Sequence, residues 1–178
     1  EGAFAAAEVR DPSAVAVGAA NTLWLEGGRL HAANTATSGF MRNLAVSAPG
    51  WDGRDAPAVV LGAGGAARAI VWGLLEAGID EVRVVNRTAA RAEETARHFG
   101  ARVRAFAWDA LPSALSGAGL LVNTTALGME KTGPLDIELT GLVADAVVAD
   151  IVYVPLETAL LGRARAQGFR PVDGLGML

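Results

Sequence analysis

From Ala58 onward, short continuous apolar runs alternate with stretches whose apolar positions recur every three to four residues. That alternation predicts strands and helices in turn. Ala58–Leu61 is an apolar run stopped at Gly62, and the following Ala66–Ala77 carries Ile70, Val71, Leu74 and Leu75 at helical spacing. The same reading predicts further strands over Glu81–Val85, Arg102–Phe106, Leu120–Asn123, Val147–Val152 and Phe169–Val172. Helices are predicted over Ala89–Phe99, near Leu111–Leu115 and over Thr158–Gln167. Strands separated by helices must return to the same end of the sheet, and right-handed crossovers then put helices on both faces. The predicted fold class is therefore α/β, a Rossmann-like doubly wound parallel sheet.

Ahead of Ala58 the pattern changes. Glu1–Val9 is alanine-rich and reads as the tail of a helix. Asn21–Leu25 and Arg29–Ala32 flank Glu26-Gly27-Gly28, which predicts a β-hairpin. Ser38–Ala48 places Phe40, Met41, Leu44 and Ala45 at helical spacing and ends at Pro49-Gly50. Pro49–Pro57 is polar and reads as a connector.

With 52% hydrophobic and 19% charged residues in 178, and a mean hydropathy of +0.33, the chain can bury a substantial core and disorder is not expected. A net charge of −4 gives no electrostatic case for nucleic acid or an anionic membrane. The absence of cysteine excludes disulfides and thiol chemistry and suits a reducing cytoplasm. Two isolated histidines, His31 and His98, argue against a metal site. No uninterrupted apolar run reaches the roughly 18 residues of a membrane span. The acidic start lacks the basic region of a signal peptide, and the missing initiator Met suggests a fragment or a processed chain.

The chemistry concentrates at the first strand–helix turn of the alternating region. Gly62, Ala63, Gly64, Gly65, Ala66 and Ala67 fit G-x-G-x-x-G/A between a predicted strand and helix. In that pattern Gly62 permits the tight turn, Gly64 lets backbone approach a pyrophosphate and Ala67 lets helix and strand pack closely. Free N–H groups of the first helical turn then face the anion. A plain βα turn in a glycine-rich chain is the simpler alternative. The end of the second strand chooses the cofactor. An acid there accepts from the ribose 2′-OH of NAD, whereas this chain has Asn86-Arg87-Thr88, with Arg91 one helical turn on. Two guanidiniums and a hydroxyl suit a 2′-phosphate, so NADP is predicted over NAD. Arg87 and Arg91 could equally solvate a helix face.

Taken with their order and spacing, further segments resemble the shikimate dehydrogenase family over nearly the whole chain. They are Gly18-Ala-Ala-Asn-Thr-Leu, Asn34-Thr35 with Gly39-Phe40, Gly62-Ala-Gly-Gly-Ala-Ala-Arg, Asn86-Arg-Thr-Ala-Ala-Arg, Asn123-Thr-Thr-Ala-Leu-Gly-Met, Asp150-Ile-Val-Tyr-Val-Pro-Leu-Glu-Thr and Asp173-Gly-Leu-Gly-Met-Leu. The resemblance implies NADPH-dependent reduction of 3-dehydroshikimate to shikimate. It divides the chain into the end of a substrate-binding domain, 1–37, and an NADP-binding domain with its linking helix, 38–178. It implies substrate contacts from Asn21 and Tyr153. Cofactor contacts are implied for Thr124, Ile151 and Gly174 in addition to the glycine and arginine positions, with Met177 packing near the nicotinamide. Without the family, Asn21 is a turn-entry residue, Tyr153 a half-buried strand-end aromatic and Asp150 a strand-end acceptor.

Departures from the family matter as much. Its acid–base pair is a Lys and an Asp. The Asp belongs directly after Asn34-Thr35, where this chain has Ala36, and the Lys belongs to a motif expected immediately upstream of Glu1. A family Gln would lie beyond Leu178. A methyl group can neither orient a hydroxyl nor take its proton, and loss of general acid–base help costs about 10²–10⁴ in rate. The expectation is an oxidoreductase of this family that is inactive or impaired as written. The alternative is an NADP-binding module without turnover, acting as a sensor or partner domain. A different Rossmann reductase, such as glutamyl-tRNA reductase or methylene-tetrahydrofolate dehydrogenase, fits the remaining segments poorly. Apolar surface within residues 1–36 suggests a homodimer. Small-molecule substrate, no nucleic acid and no membrane complete the expected partners.

Overall fold

The computed structural model describes residues 2–53 and 55–178. Glu1, at the start of the expected helix tail, and Arg54, in the expected connector, lie outside the described residues. In chain order the elements are α1 (Gly2–Ala6), β1 (Val9–Arg10), α2 (Pro12–Val17), β2 (Thr22–Glu26), β3 (Arg29–Ala33), α3 (Ala36–Ser47), β4 (Ala58–Leu61) and α4 (Gly65–Glu76). They continue as β5 (Val82–Asn86), α5 (Ala89–Phe99), β6 (Val103–Ala107), α6 (Leu111–Leu115), β7 (Leu120–Asn123), β8 (Val147–Asp150), α7 (Ala159–Ala166) and β9 (Arg170–Val172). A 3-10 turn, Leu175–Met177, follows β9.

Six strands form one parallel sheet in the order β6-β5-β4-β7-β8-β9. The chain starts in the middle at β4, winds outward through β5 and β6, then returns to β7 on the other side. That reversal is the topological switch point at which doubly wound sheets bind ligands. Both faces are dry. In β4, Ala58 and Val60 join a layer with Phe40, Leu44, Ile70 and Leu74, while Val59 and Leu61 join another with Leu111, Leu115, Leu121 and Leu160. Because the strand is buried on both sides, its sequence is continuously apolar rather than alternating.

A second sheet has three strands in the order β1-β3-β2. The hairpin β2–β3 pairs Glu26 with Arg29 across Gly27 and Gly28. Both glycines have positive φ, 58° and 77°, as a two-residue type I′ turn demands. Val9 does not extend a helix as the alanine-rich start suggested; it pairs in parallel with His31 of β3. Helix α2 was not anticipated, although its punctuation is standard. Asp11 caps it by accepting from Ser13 N at 2.9 Å, Pro12 stands in its first turn, and Gly18 ends it at φ 69°. Two side chains of the six-stranded region hold the carbonyl end of α2. Arg68 Nε donates to Val17 O at 2.9 Å, and His98 Nε2 donates to Ala16 O at 2.9 Å.

Helix α3 begins at Ala36, two residues before the expected start, because Asn34 Oδ1 accepts from Ala36 N at 3.1 Å and starts the turn early. A division at 37/38 therefore falls inside this helix. At the other end β8 stops at Asp150, so Ile151 and Val152 leave the strand as loop. The remaining predicted elements occur within one or two residues of their expected bounds.

Candidate functional site

At the carboxyl ends of β4 and β5 the backbone opens rather than closing on itself. Gly62, at φ 105°, turns the chain out of β4 while its N–H donates to Val85 O at 2.8 Å. A Cβ on Gly62 would lie 2.5 Å from Thr124 Oγ1, so the position excludes any side chain. Thr124 closes the other side, donating from its N–H at 2.9 Å and its hydroxyl at 2.6 Å to Leu61 O. Gly64 differs: a Cβ there would meet nothing within 4 Å, which leaves space in front of the first turn of α4. Gly65 is pressed against Ala19, whose Cβ would be 3.3 Å from a Cβ at 65. Ala67 is fully buried and brings α4 onto β4.

Two cavities share this edge. The first, about 470 Å³, is lined by Gly62, Ala63, Gly64, Asn86, Arg87, Trp108, Thr124, Thr125, Ala126, Leu127 and Thr132. The second, about 410 Å³, is lined by Thr124, Thr125, Ala126, Met129, Ile151, Val152, Tyr153 and Val154. Thr124–Ala126 belongs to both, so the cavities are halves of one cleft along the switch point. The first holds a glycine turn at a helix N-terminus and a guanidinium, the equipment for a phosphorylated ligand. The second is apolar apart from its threonines and the phenol of Tyr153, a surface for a flat ring.

Behind the shared wall lies a buried polar network. Asp150, at the end of β8, is 1% exposed and accepts from Asn123 Nδ2 at 2.9 Å, Val152 N at 3.1 Å and Thr158 Oγ1 at 2.7 Å. Asn123, at the end of β7, also donates to Leu127 O at 3.0 Å. Its Oδ1 accepts from Thr125 N at 3.0 Å and Thr125 Oγ1 at 2.7 Å. Burial pushes the Asp150 carboxyl above its ordinary range, and the three donors pull it back only in part. Among the described residues no buried side-chain nitrogen or oxygen lacks a partner, and no group of three His, Cys, Asp or Glu is placed to hold a metal.

The structure brings together Gly62, Ala63, Gly64, Asn86, Arg87 and Thr124 in the first cavity, and Ile151, Tyr153 and Thr124 in the second. Gly65 and Ala66 form the first turn of α4 beside it. Thr88 precedes α5, where its carbonyl accepts from Asn86 Nδ2 at 2.9 Å, and Arg91 is exposed in that helix's first turn. Gly174 and Met177 stand outside the lining of both cavities. A Cβ on Gly174 would strike the Ile151 carbonyl and lie 2.9 Å from Val152 O, so that glycine lets the C-terminal turn press on the loop after β8. Met177 packs against the core layer beneath α3. Asn21 lies in the three-stranded region, its Oδ1 accepting from Thr35 N at 2.9 Å and Thr22 Oγ1 at 3.1 Å. Ala36 packs against the cluster of Val17, Ala19 and Ala69.

Sequence reasoning missed Trp108, Ala126, Leu127 and Thr132 in the first cavity. Trp108 sits directly after β6, at the same carboxyl edge, and that rule alone could have found it. Thr132 belongs to an aperiodic loop and carried no local signal.

Known proteins resemble this chain in sequence and fold. A profile of the Shikimate / quinate 5-dehydrogenase family matches residues 44–130. A shikimate dehydrogenase (NADP(+)) of Azorhizobium caulinodans is 57% identical over 178 residues, all of this chain and 63% of that protein. The crystal structure of shikimate 5-dehydrogenase from Thermus thermophilus in complex with NADP(H) and shikimate superposes with a TM-score of 0.82 at 38% identity, over 99% of this chain and 64% of that one. Quinate dehydrogenase from Corynebacterium glutamicum, in complex with NAD, gives a TM-score of 0.85 at 28% identity, over 96% of this chain and 62% of that one. The chain thus spans slightly less than two thirds of the length of these relatives.

Proposed function

Since the chain belongs to the shikimate / quinate 5-dehydrogenase family, we propose that it is the cofactor-binding part of an NADP-dependent oxidoreductase acting on shikimate and 3-dehydroshikimate. The observation that carries this reading is one cavity holding the Gly62–Gly64 turn, the opening of α4 and Arg87, joined to an apolar cavity at Tyr153. Bound NADP(H) would supply the hydride donor or acceptor. The chain's own residues would bind and orient it. The backbone at Gly64–Ala66 would face the pyrophosphate. Arg87, with Arg91 and Thr88 beside it, would take the 2′-phosphate, and Asn86 would hold the turn. Thr124, Ile151, Gly174 and Met177 would border or support the nicotinamide side. Asn21 and Tyr153 would meet the substrate, across an interface between a substrate part at 1–37 and a cofactor part at 38–178. A relative that binds NAD makes the choice at Arg87 a matter for measurement. Arg87→Ala should weaken NADPH about tenfold to a hundredfold, the worth of one charge-assisted hydrogen bond, and leave NADH nearly unchanged. Equal losses for both would refute the assignment.

Turnover is proposed to be impaired, because Ala36 offers no acid–base group and sits among apolar neighbours. Shikimate-dependent formation of NADPH, followed by absorbance at high protein concentration, is expected to be near background while NADPH still binds. Clear turnover would sink the reading of Ala36. We further propose a cytoplasmic protein that pairs with a second copy through the exposed strand β2; elution as a monomer at micromolar concentration would count against the pairing.

A further inference from the structure

We infer that the Asn123–Asp150–Thr158 network is the positioning element that fixes the apolar cavity relative to the phosphate-side cavity, so that a dinucleotide engages both halves at once. The inference rests on the dinucleotide reading above and extends it to residues that touch neither cavity's contents. Three segments meet at the Asp150 carboxylate: the end of β7 through Asn123, the loop after β8 through Val152 N, and the N-terminus of α7 through Thr158. Asn123 passes the constraint on, holding Thr125 by two bonds and Leu127 by a third. Thr125 belongs to the wall shared by both cavities, Leu127 to the first, and Val152 to the second. A buried carboxylate therefore supplies the side-chain tie between the common wall and Val152 of the second cavity. The first cavity has its own independent supports, since Gly62 and Thr124 are bonded to Val85 and Leu61.

That asymmetry predicts which half of a ligand should feel the loss. Removing the carboxylate leaves the loop after β8 tied to β7 only by the backbone bond from Ile151 N–H to Asn123 O at 3.1 Å, while the glycine turn and Arg87 stay where β4 and β5 put them. A buried network of this kind also leaves its remaining members unpaired when one is deleted, so the effect should exceed a single neutral hydrogen bond.

The test compares two ligands on the same chain without needing turnover. NADPH spans both cavities in this reading, whereas adenosine 2′,5′-bisphosphate carries only the adenosine and phosphate part. Asp150→Ala is expected to weaken NADPH about tenfold and to reduce the rise in nicotinamide fluorescence on binding, with the bisphosphate held within about twofold. Asp150→Asn keeps one acceptor for Asn123 and Val152 and offers a donor to Thr158, and should restore most of the NADPH affinity. Should Asp150→Ala fail to fold, Thr158→Val removes one arm of the network and is expected to show the same split, only smaller. Equal weakening of both ligands, or no weakening of NADPH in either variant, would overturn the inference. A parent chain that binds neither ligand would instead refute the dinucleotide reading, and the inference with it.

Discussion

The six-stranded and three-stranded sheets treat their apolar surface in opposite ways. In the first, the central strands β4, β7 and β8 are buried along their whole length, and the two core layers close over Val60 and Leu61 alike. In the second, strand β2 forms an edge and leaves Leu23, Trp24 and Leu25 exposed, Leu25 at 74%. Nothing among the described residues covers them. A long apolar edge strand without lysine or proline is a surface that invites pairing. The difference separates two kinds of dependence. The cleft at the switch point rests on strands that are self-contained, so its geometry owes little to the small sheet. The small sheet is held from below, by Arg68 and His98 on the end of α2, more than by a core of its own.

The contrast can be broken first by core deletion. Leu74→Ala, fully buried against β4, should cost about 2–5 kcal/mol in denaturant unfolding. Leu25→Ala, equal in chemistry, should stay within about 0.5 kcal/mol at dilutions where the chain is a monomer. A large loss at Leu25 would show that β2 is covered by association, and would then depend on protein concentration. Next, Arg68→Ala should cost about 1–3 kcal/mol, because the Val17 carbonyl loses its donor. Its partner Glu94, at 3.7 Å and largely exposed, should add little. Faster amide exchange should be confined to α2 and the hairpin; exchange that also rose in β4 and β7 would mean that the two regions unfold together.

The smallest expected effect is a matter of sign. The folded Asp150 carboxyl is held above its unfolded value by burial, and its partners Asn123, Val152 and Thr158 are neutral. The folded state therefore binds more protons between those two values, and this group's contribution to stability falls as pH rises from its ordinary value of 3.8 through the raised one. Asp150→Asn removes that titration. Its melting temperature relative to the parent should rise with pH over that window and level off above it, with little change in NADPH affinity. A relative melting temperature that fell with rising pH would contradict the burial argument.

The alternating region was legible because its physical signals are local. An apolar run stopped by Gly62 gave β4, and one opening after Gly119 gave β7, both at their observed bounds, and the 3.6-residue period gave α5. The glycine turn was legible for the same reason, since Gly62 and Gly64 act on backbone within a few residues of themselves. Helix α2 was overlooked although Asp11, Pro12 and Gly18 mark both its ends, because six residues with small side chains carry no apolar period. The pairing of Val9 with His31 needed knowledge of a partner more than twenty residues away. The Asn123–Asp150 bond is likewise a product of strand order: neighbours in the sheet bring the two together, and no spacing along the chain records it.

The C-terminal turn has a consequence for the order in which the molecule can be assembled during synthesis. Helix α3, complete by Ser47, accepts the segment around Leu175–Met177 so closely that a Cβ on Gly39 would strike the Met177 carbonyl, and one on Gly176 would strike the Asn43 side chain. Asn43 Nδ2 donates to Asp173 O at 2.7 Å across the same contact. A ribosome must therefore deliver the whole six-stranded sheet before this helix meets the segment that covers it. Until then α3 has α4 to lie on but not that cover, so the joint between the two sheets is completed only after the sheet has been made.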